Sequence, residues 1–79
     1  MGYPPCKSIG CDITKASWPE LVGKPGAQAK ATIEREAPGV RAIIILKTDP
    51  YIQDFCCNRV WVFVNPDSRK TVAWAPKIG

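Results

Sequence analysis

The sequence contains four cysteines, which could bind a metal ion or form disulfide bonds. They are Cys6, Cys11, Cys56 and Cys57. Zinc sites commonly use cysteine pairs separated by two residues, and neither the amino-terminal pair nor the adjacent pair has that spacing. Disulfide bonds are the other use, and an even count allows two bridges in three connectivities. We therefore expect disulfide bonds, with no metal site and no cofactor.

Histidine is absent from the 79 residues. Without an imidazole the chain holds neither a Ser-His-Asp nor a Cys-His catalytic centre. We expect the protein not to be an enzyme.

A chain of 79 residues makes one domain, which we take as residues 1–79. A core of this size supplies only about 3–5 kcal/mol of stability, so covalent staples are expected. The cysteine density is typical of a secreted or vacuolar protein. The first residues, from Met1 to Cys6, lack the basic segment and apolar stretch of a signal peptide, so we expect that one was removed or that none existed.

The net charge of +4 and the tryptophans raise the question of nucleic acid binding. The basic residues are scattered along the chain, which disfavours a nucleic-acid partner. No apolar run approaches the roughly 18 residues of a membrane span, which disfavours a membrane partner.

The first half of the chain predicts an irregular arm followed by helix. Residues 1–16 are rich in Pro, Gly, Ser and charge without a sustained period. Ser17 and Glu20 have the spacing of a capping box and predict a short helical turn. Residues 26–36 predict a longer helix, which Pro38 and Gly39 terminate.

The second half predicts a sheet. Residues 40–47 are rich in β-branched side chains, and residues 59–65 alternate Val with Trp and Phe, so both segments predict strands. Residues 71–74 are expected to pair antiparallel as a short edge strand after a turn. The predicted fold class is α+β, with one helix packed on one face of a small sheet.

An eleven-residue segment, 48–58, separates the two main strands and is too long for a tight hairpin. Long aperiodic loops of compact domains are either functional or disordered. Order is favoured by Pro50, by the apolar Ile52 and Phe55, and by the opposite charges of Asp54 and Arg59 near the loop ends. We interpret the segment as an ordered binding loop, with a disordered connection as the alternative.

The sequence resembles the potato inhibitor I family of serine protease inhibitors over about residues 11–79. The resemblance is carried by SWPELVGK at 17–24, AK at 29–30, IERE at 33–36, NRV at 58–60 and a Pro-x-x-Gly at 76–79. It implies a mixed sheet whose two main strands run parallel and are joined by an exposed protease-binding loop. It also implies a core made by Trp18, Leu21, Ala29, Ile33, Ala42, Ile44, Val60, Val62, Val64 and Val72.

The family position of the scissile bond falls between Gln53 and Asp54. The resemblance implies that Gln53 enters the primary specificity pocket of the protease. The subsites before the bond would then hold Pro50, Tyr51 and Ile52, and those after it Asp54 and Phe55. The expected mechanism is substrate-like inhibition by a monomer that contributes no catalytic group.

Loop support is where the sequence departs from the family pattern. Ile52 stands where a Thr is usual, and Trp61 stands in place of the second of two arginines, leaving Arg59 with Asp54. Trp61 is expected to pack beneath the loop, with an outer-face position unrelated to the loop as the alternative.

The family disulfide corresponds here to Cys11–Cys57. A second bridge, Cys6–Cys56, is expected because adjacent cysteines generally need separate partners. The alternative for these two cysteines is free thiols or an intermolecular bond.

Gln53 suits neither the cation pocket of trypsin nor the large apolar pocket of chymotrypsin, so both enzymes should bind weakly through it. A subtilisin-like protease is the favoured partner, and an enzyme preferring Glu or Gln is an alternative. The rival function is a plant defence, storage or interaction protein on the same scaffold, with weak or no inhibition.

Overall fold

The computed structural model describes residues 15–51 and 55–79. A 3₁₀ turn spans Pro19–Leu21 and is followed by helix α1, Gly26–Glu36. Three strands follow, β1 at Arg41–Leu46, β2 at Arg59–Val64 and β3 at Lys77–Ile78. The predicted bounds of the helix are confirmed, and both main strands lie inside their predicted ranges. The predicted arm lies, up to residue 14, outside the described residues.

The sheet is mixed and has the order β1-β2-β3. β1 and β2 run parallel, with Arg41 opposite Arg59 and Leu46 opposite Val64. β3 is antiparallel to β2 and places Lys77 opposite Trp61. The predicted fold class, one helix on a small mixed sheet, is confirmed.

The antiparallel pairing predicted for 71–74 is confirmed, but the paired stretch is too short to form a strand. This segment forms only isolated antiparallel bridges, one of which joins Val64 and Val72. The bonds to β2 are made by the neighbours of Val72, because its own carbonyl accepts from Gly23 at 2.9 Å and its own amide donates to Lys24 at 2.8 Å. Soon after, Pro76 lacks an N–H donor and the ladder does not continue. The true third strand has two residues, too few to show a period.

The core lies between α1 and the sheet. It consists of nine of the ten expected residues: Trp18, Leu21, Ala29, Ile33, Ala42, Val60, Val62, Val64 and Val72. The prediction for Ile44 is wrong, since this side chain is 40% exposed. Ile44 lies on the edge strand beside the start of α1, where Gly26 offers it no side chain to pack against.

The 3₁₀ turn begins differently from its prediction. Trp18, not Ser17, is the residue before the turn, and no side chain caps it. Ser17 instead forms an antiparallel bridge with Lys77. The predicted capping box is therefore absent, and the residues on both sides of Ser17 bond to the carboxyl-terminal segment, Trp18 to Pro76 and Ala16 to Ile78.

Two side chains of α1 cover the outer edge of β1 at Ala42. The amide of Ala42 donates to Oε2 of Glu34 at 3.0 Å, and its carbonyl accepts from Nζ of Lys30 at 3.1 Å. Burial alone would raise the pKa of Glu34, but the hydrogen bonds from Lys30 and Ala42 outweigh it, so the pKa lies below 4.5. These bonds attach the helix to the sheet and occupy main-chain groups that an edge strand otherwise leaves open.

Within the described part of the chain, no helix is long and apolar enough to cross a membrane. In the same residues, no cluster of three or more His, Cys, Asp or Glu side chains has the geometry to hold a metal ion.

Candidate functional site

The candidate site is the connection 48–58 between β1 and β2. Because these strands are parallel, the chain must return from the end of β1 to the beginning of β2. The starting end is held by a bond from the amide of Asp49 to the carbonyl of Leu46, 2.9 Å. The returning end is held by a bond from the amide of Arg41 to the carbonyl of Asn58, also 2.9 Å. Both ends of the loop are thus fixed to the sheet.

Of the six loop residues predicted to contact a protease, the structure describes three. Pro50, Tyr51 and Phe55 are exposed, so three predicted contact residues are open to a partner. Ile52, Gln53 and Asp54, which include the predicted scissile bond, lie outside the described residues.

Tyr51 connects the loop to the sheet. Its ring centroid lies 5.6 Å from that of Trp61 and 4.9 Å from that of Phe63, the second in an edge-on arrangement. Trp61 is buried, and Tyr51 is 42% exposed. The structure therefore brings Trp61 into contact with a residue of the loop, on the sheet face opposite α1.

Arg59 is buried, with only 5% of its surface exposed. Its Nε and Nη2 both donate to the main-chain oxygen of Gly79, at 2.9 and 2.5 Å. Its guanidinium carbon lies 4.7 Å from the ring centroid of Trp61, within the range of a cation–π contact. The expected pairing with Asp54 lies outside the described residues.

Gly79 was not among the residues predicted for the site. Its main-chain oxygen also accepts from the amide of Cys56 at 3.3 Å, and its amide donates to the carbonyl of Arg59 at 2.9 Å. A buried arginine requires acceptors, but the burial of Arg59 is a property of the fold, so the sequence carried no signal for Gly79.

Cys56 and Cys57 precede β2, separated from it by Asn58, and both are buried. Neither is a free thiol. The predicted pairings with Cys6 and Cys11 lie outside the described residues.

Trp74 is a second residue that the sequence reasoning missed. Its ring centroid lies 5.3 Å from that of Phe63. A groove of about 310 Å³ runs beside these rings and is lined by Tyr51, Trp61, Phe63, Trp74, Ala75, Lys77, Ile78 and Gly79. The alternation of Trp61 and Phe63 along β2 was the available signal, since residues two apart on a strand share a face.

The sequence model of the "Potato inhibitor I family" matches residues 9–79. A relative from Momordica charantia, "Glu S.griseus protease inhibitor", is 54% identical over 65 residues, which are 82% of this chain and 93% of the relative. The "Inhibitor of trypsin and hageman factor" of Cucurbita maxima is 49% identical with the same coverage of both chains. Both of these relatives of the chain are named as inhibitors and not as enzymes.

A solved structure of the bitter gourd trypsin inhibitor superimposes with a TM-score of 0.77 at 54% identity, covering 82% of this chain and 93% of that one. The family match covers the helix, all three strands and the loop between β1 and β2. The chain belongs to the potato inhibitor I family.

Proposed function

We propose that this protein inhibits serine endopeptidases by presenting loop 48–58 to the active site as a substrate would. The observation that carries the proposal is a loop fixed to the sheet at both ends while Pro50, Tyr51 and Phe55 remain exposed. The chain also belongs to a family of which two members are named as protease inhibitors, and this membership supports the same function.

In the proposed mechanism the protease serine attacks the carbonyl carbon of Gln53, and the amine of Asp54 is the leaving group. A supported loop keeps that amine next to the acyl-enzyme, so the bond reforms faster than the fragments separate. Binding is tight because the loop is ordered on folding and loses little further freedom on association. The protease supplies every catalytic group.

The proposed loop support combines Arg59, Trp61 and the cysteines. Arg59 connects the start of β2, where the loop ends, to Gly79. Trp61 contacts Tyr51, which lies in the first half of the loop. Cys57 would pair with Cys11, closing about 47 residues and adding on the order of 4 kcal/mol by the loop-entropy argument.

A second bridge, Cys6–Cys56, would attach the arm to the same end of the loop. Such bridges persist in oxidising compartments, so we propose that the protein is secreted or vacuolar. Intact mass under non-reducing conditions tests this pairing. Two bridges remove four hydrogens from the reduced mass, and a loss of only two would exclude the second bridge.

Gln53 directs the proposed choice of target. Its neutral amide leaves the acidic pocket of a trypsin-like enzyme without a cation and places a polar group in the apolar pocket of a chymotrypsin-like one. Subtilisin-like enzymes accept a wider range of side chains. An enzyme selective for Glu or Gln is the second candidate, and the relative at 54% identity carries the name "Glu S.griseus protease inhibitor".

The test is a titration of subtilisin, trypsin, chymotrypsin and a glutamyl endopeptidase, with residual activity and loop integrity followed together. We expect one equivalent to abolish subtilisin activity while most of the loop stays intact. Gln53→Gly should weaken inhibition, whereas Arg35→Gln on the exposed side of α1 should not. Rapid cleavage after Gln53 with full enzyme activity would instead support the defence, storage or interaction function.

A further inference from the structure

Four aromatic rings form a continuous row on the sheet face opposite α1. In order they are Trp61, Tyr51, Phe63 and Trp74, with successive centroid distances of 5.6, 4.9 and 5.3 Å. The alternate residues of β2, which include Val60 and Val62, fill the core under α1, so Trp61 and Phe63 face the other way. The row links the loop to the segment that precedes β3.

We propose that Phe63 and Trp74 are positioning residues for the binding loop and act through the ring of Tyr51. This inference rests on the proposed function, in which Tyr51 stands two residues before Gln53 at the scissile bond. Two residues of extended chain span only about 7 Å, so fixing Tyr51 restricts where Gln53 can lie.

Trp74 can restrict the motion of the Phe63 ring because the residue before it, Ala73, is hydrogen-bonded to β2. The amide of Ala73 donates to the carbonyl of Phe63 at 2.8 Å. Trp74 is 47% exposed, its ring contacts that of Phe63, and it is not part of the core cluster under α1. Losing this ring should therefore affect the row more than the fold.

The first experiment needs no protease. Amide exchange of the loop ends and the proton shifts of the Tyr51 ring are measured by NMR in wild type, Trp74→Ala and Trp74→Phe. One aromatic pair is worth about a two- to tenfold change in an equilibrium constant, so Trp74→Ala should speed exchange of the Asp49 amide, which donates to Leu46, by about that factor. The Tyr51 shifts should move, exchange in α1 should stay unchanged, and Trp74→Phe should restore most of the effect.

Val22→Ala is the matched control, because Val22 is exposed to a similar extent, 46%, and has no ring in the row. It should leave the loop and the Tyr51 shifts unchanged. Unaltered loop exchange and Tyr51 shifts in Trp74→Ala would overturn the proposal.

The second experiment is a double-mutant cycle on the inhibition constant for subtilisin. Trp74→Ala should weaken inhibition about two- to tenfold in the wild-type background and by less than twofold when Tyr51 is already Ala. An equal loss in both backgrounds, with unmoved Tyr51 shifts, would mean that Trp74 contacts the protease itself and would overturn the positioning role. If wild type inhibits no protease, the proposed function fails, and the NMR measurements still decide whether the row positions the loop.

Discussion

The guanidinium of Arg59 and the main-chain oxygen of Gly79 are joined by two hydrogen bonds that are partly buried. The same oxygen accepts from the amide of Cys56, at the returning end of the loop. The carboxyl-terminal segment therefore stabilises the region where the loop enters β2. Its effect is transmitted through a side chain that is also in contact with Trp61.

Arg59→Lys is expected to lower the free energy of unfolding by about 1–3 kcal/mol. Lysine keeps the charge but loses the planar donor pair, and hydrogen bonds that involve a charged group contribute about 1.5–3 kcal/mol. Guanidinium chloride unfolding measures the loss. Arg41→Lys is the control, since the Arg41 side chain is largely exposed and its contact with Glu34 is long, at 3.9 Å. Equal stability of the two variants would contradict the role given to Arg59.

Glu34→Gln is expected to make stability depend less on pH. The pKa of Glu34 is lowered in the folded protein, so the ionised carboxylate contributes stability above its ordinary pKa of 4.5. That contribution is lost as the pH falls through the lower, folded value. At pH 7 the variant should be less stable by about 0.5–1 kcal/mol, since the amide keeps one acceptor for Ala42 but no charge for Lys30. Denaturant unfolding between pH 7 and pH 3 should show this difference shrinking. A difference that stays constant would contradict the assignment.

Lys70→Gly is expected to raise the free energy of unfolding by up to about 1 kcal/mol. The φ angle of Lys70 is 51°, in the left-handed region, which costs an L-residue about 1–2 kcal/mol. Glycine removes that strain at an entropic cost of about 0.5–1 kcal/mol. Arg69→Gly lacks the compensating relief, because φ of Arg69 is not positive, and should be destabilising. Thermal unfolding compares the two, and equal destabilisation would contradict the expectation.

Gln53→Lys is expected to shift inhibition toward trypsin by at least about tenfold, because a cation then meets the acidic specificity pocket. The measurement is the inhibition constant for trypsin beside that for subtilisin. Gln28→Lys is the matched control, since it makes the same substitution at an exposed position of α1, away from the loop. Unchanged trypsin inhibition by Gln53→Lys would show that the register of the loop is wrong.

The local residue pattern was sufficient to predict the elements that are long enough to show a repeating pattern. The helix at Gly26–Glu36 and the strands around Ile43 and Val62 follow from helical and β-branched runs in the sequence. β3 could not be predicted in this way, because two residues carry no period and Lys77 finds its place only by pairing with Trp61. Ile44 has the sequence of a core residue, and its exposure depends on which strand forms the sheet edge.

The sequence predicted the binding loop but not the long-range contacts that hold it. The length of segment 48–58 and its position between strands are visible in the sequence, and so are the apolar and charged residues near its ends. The contacts of Tyr51 with Phe63, and of Arg59 with Gly79, join positions 12 and 20 residues apart. Such contacts are set by strand register and chain return, which composition and spacing do not specify.

The central claim is that the Gln53–Asp54 bond is cut and resealed while the loop stays in place. The direct measurement starts from two samples, the intact chain and the chain cut at that bond, each incubated with a catalytic amount of subtilisin. We predict that both reach the same mixture, with intact chain in excess, as followed by mass spectrometry. A cut sample that stays cut while the intact sample is fully cleaved, or cleavage at a different bond, would contradict the account.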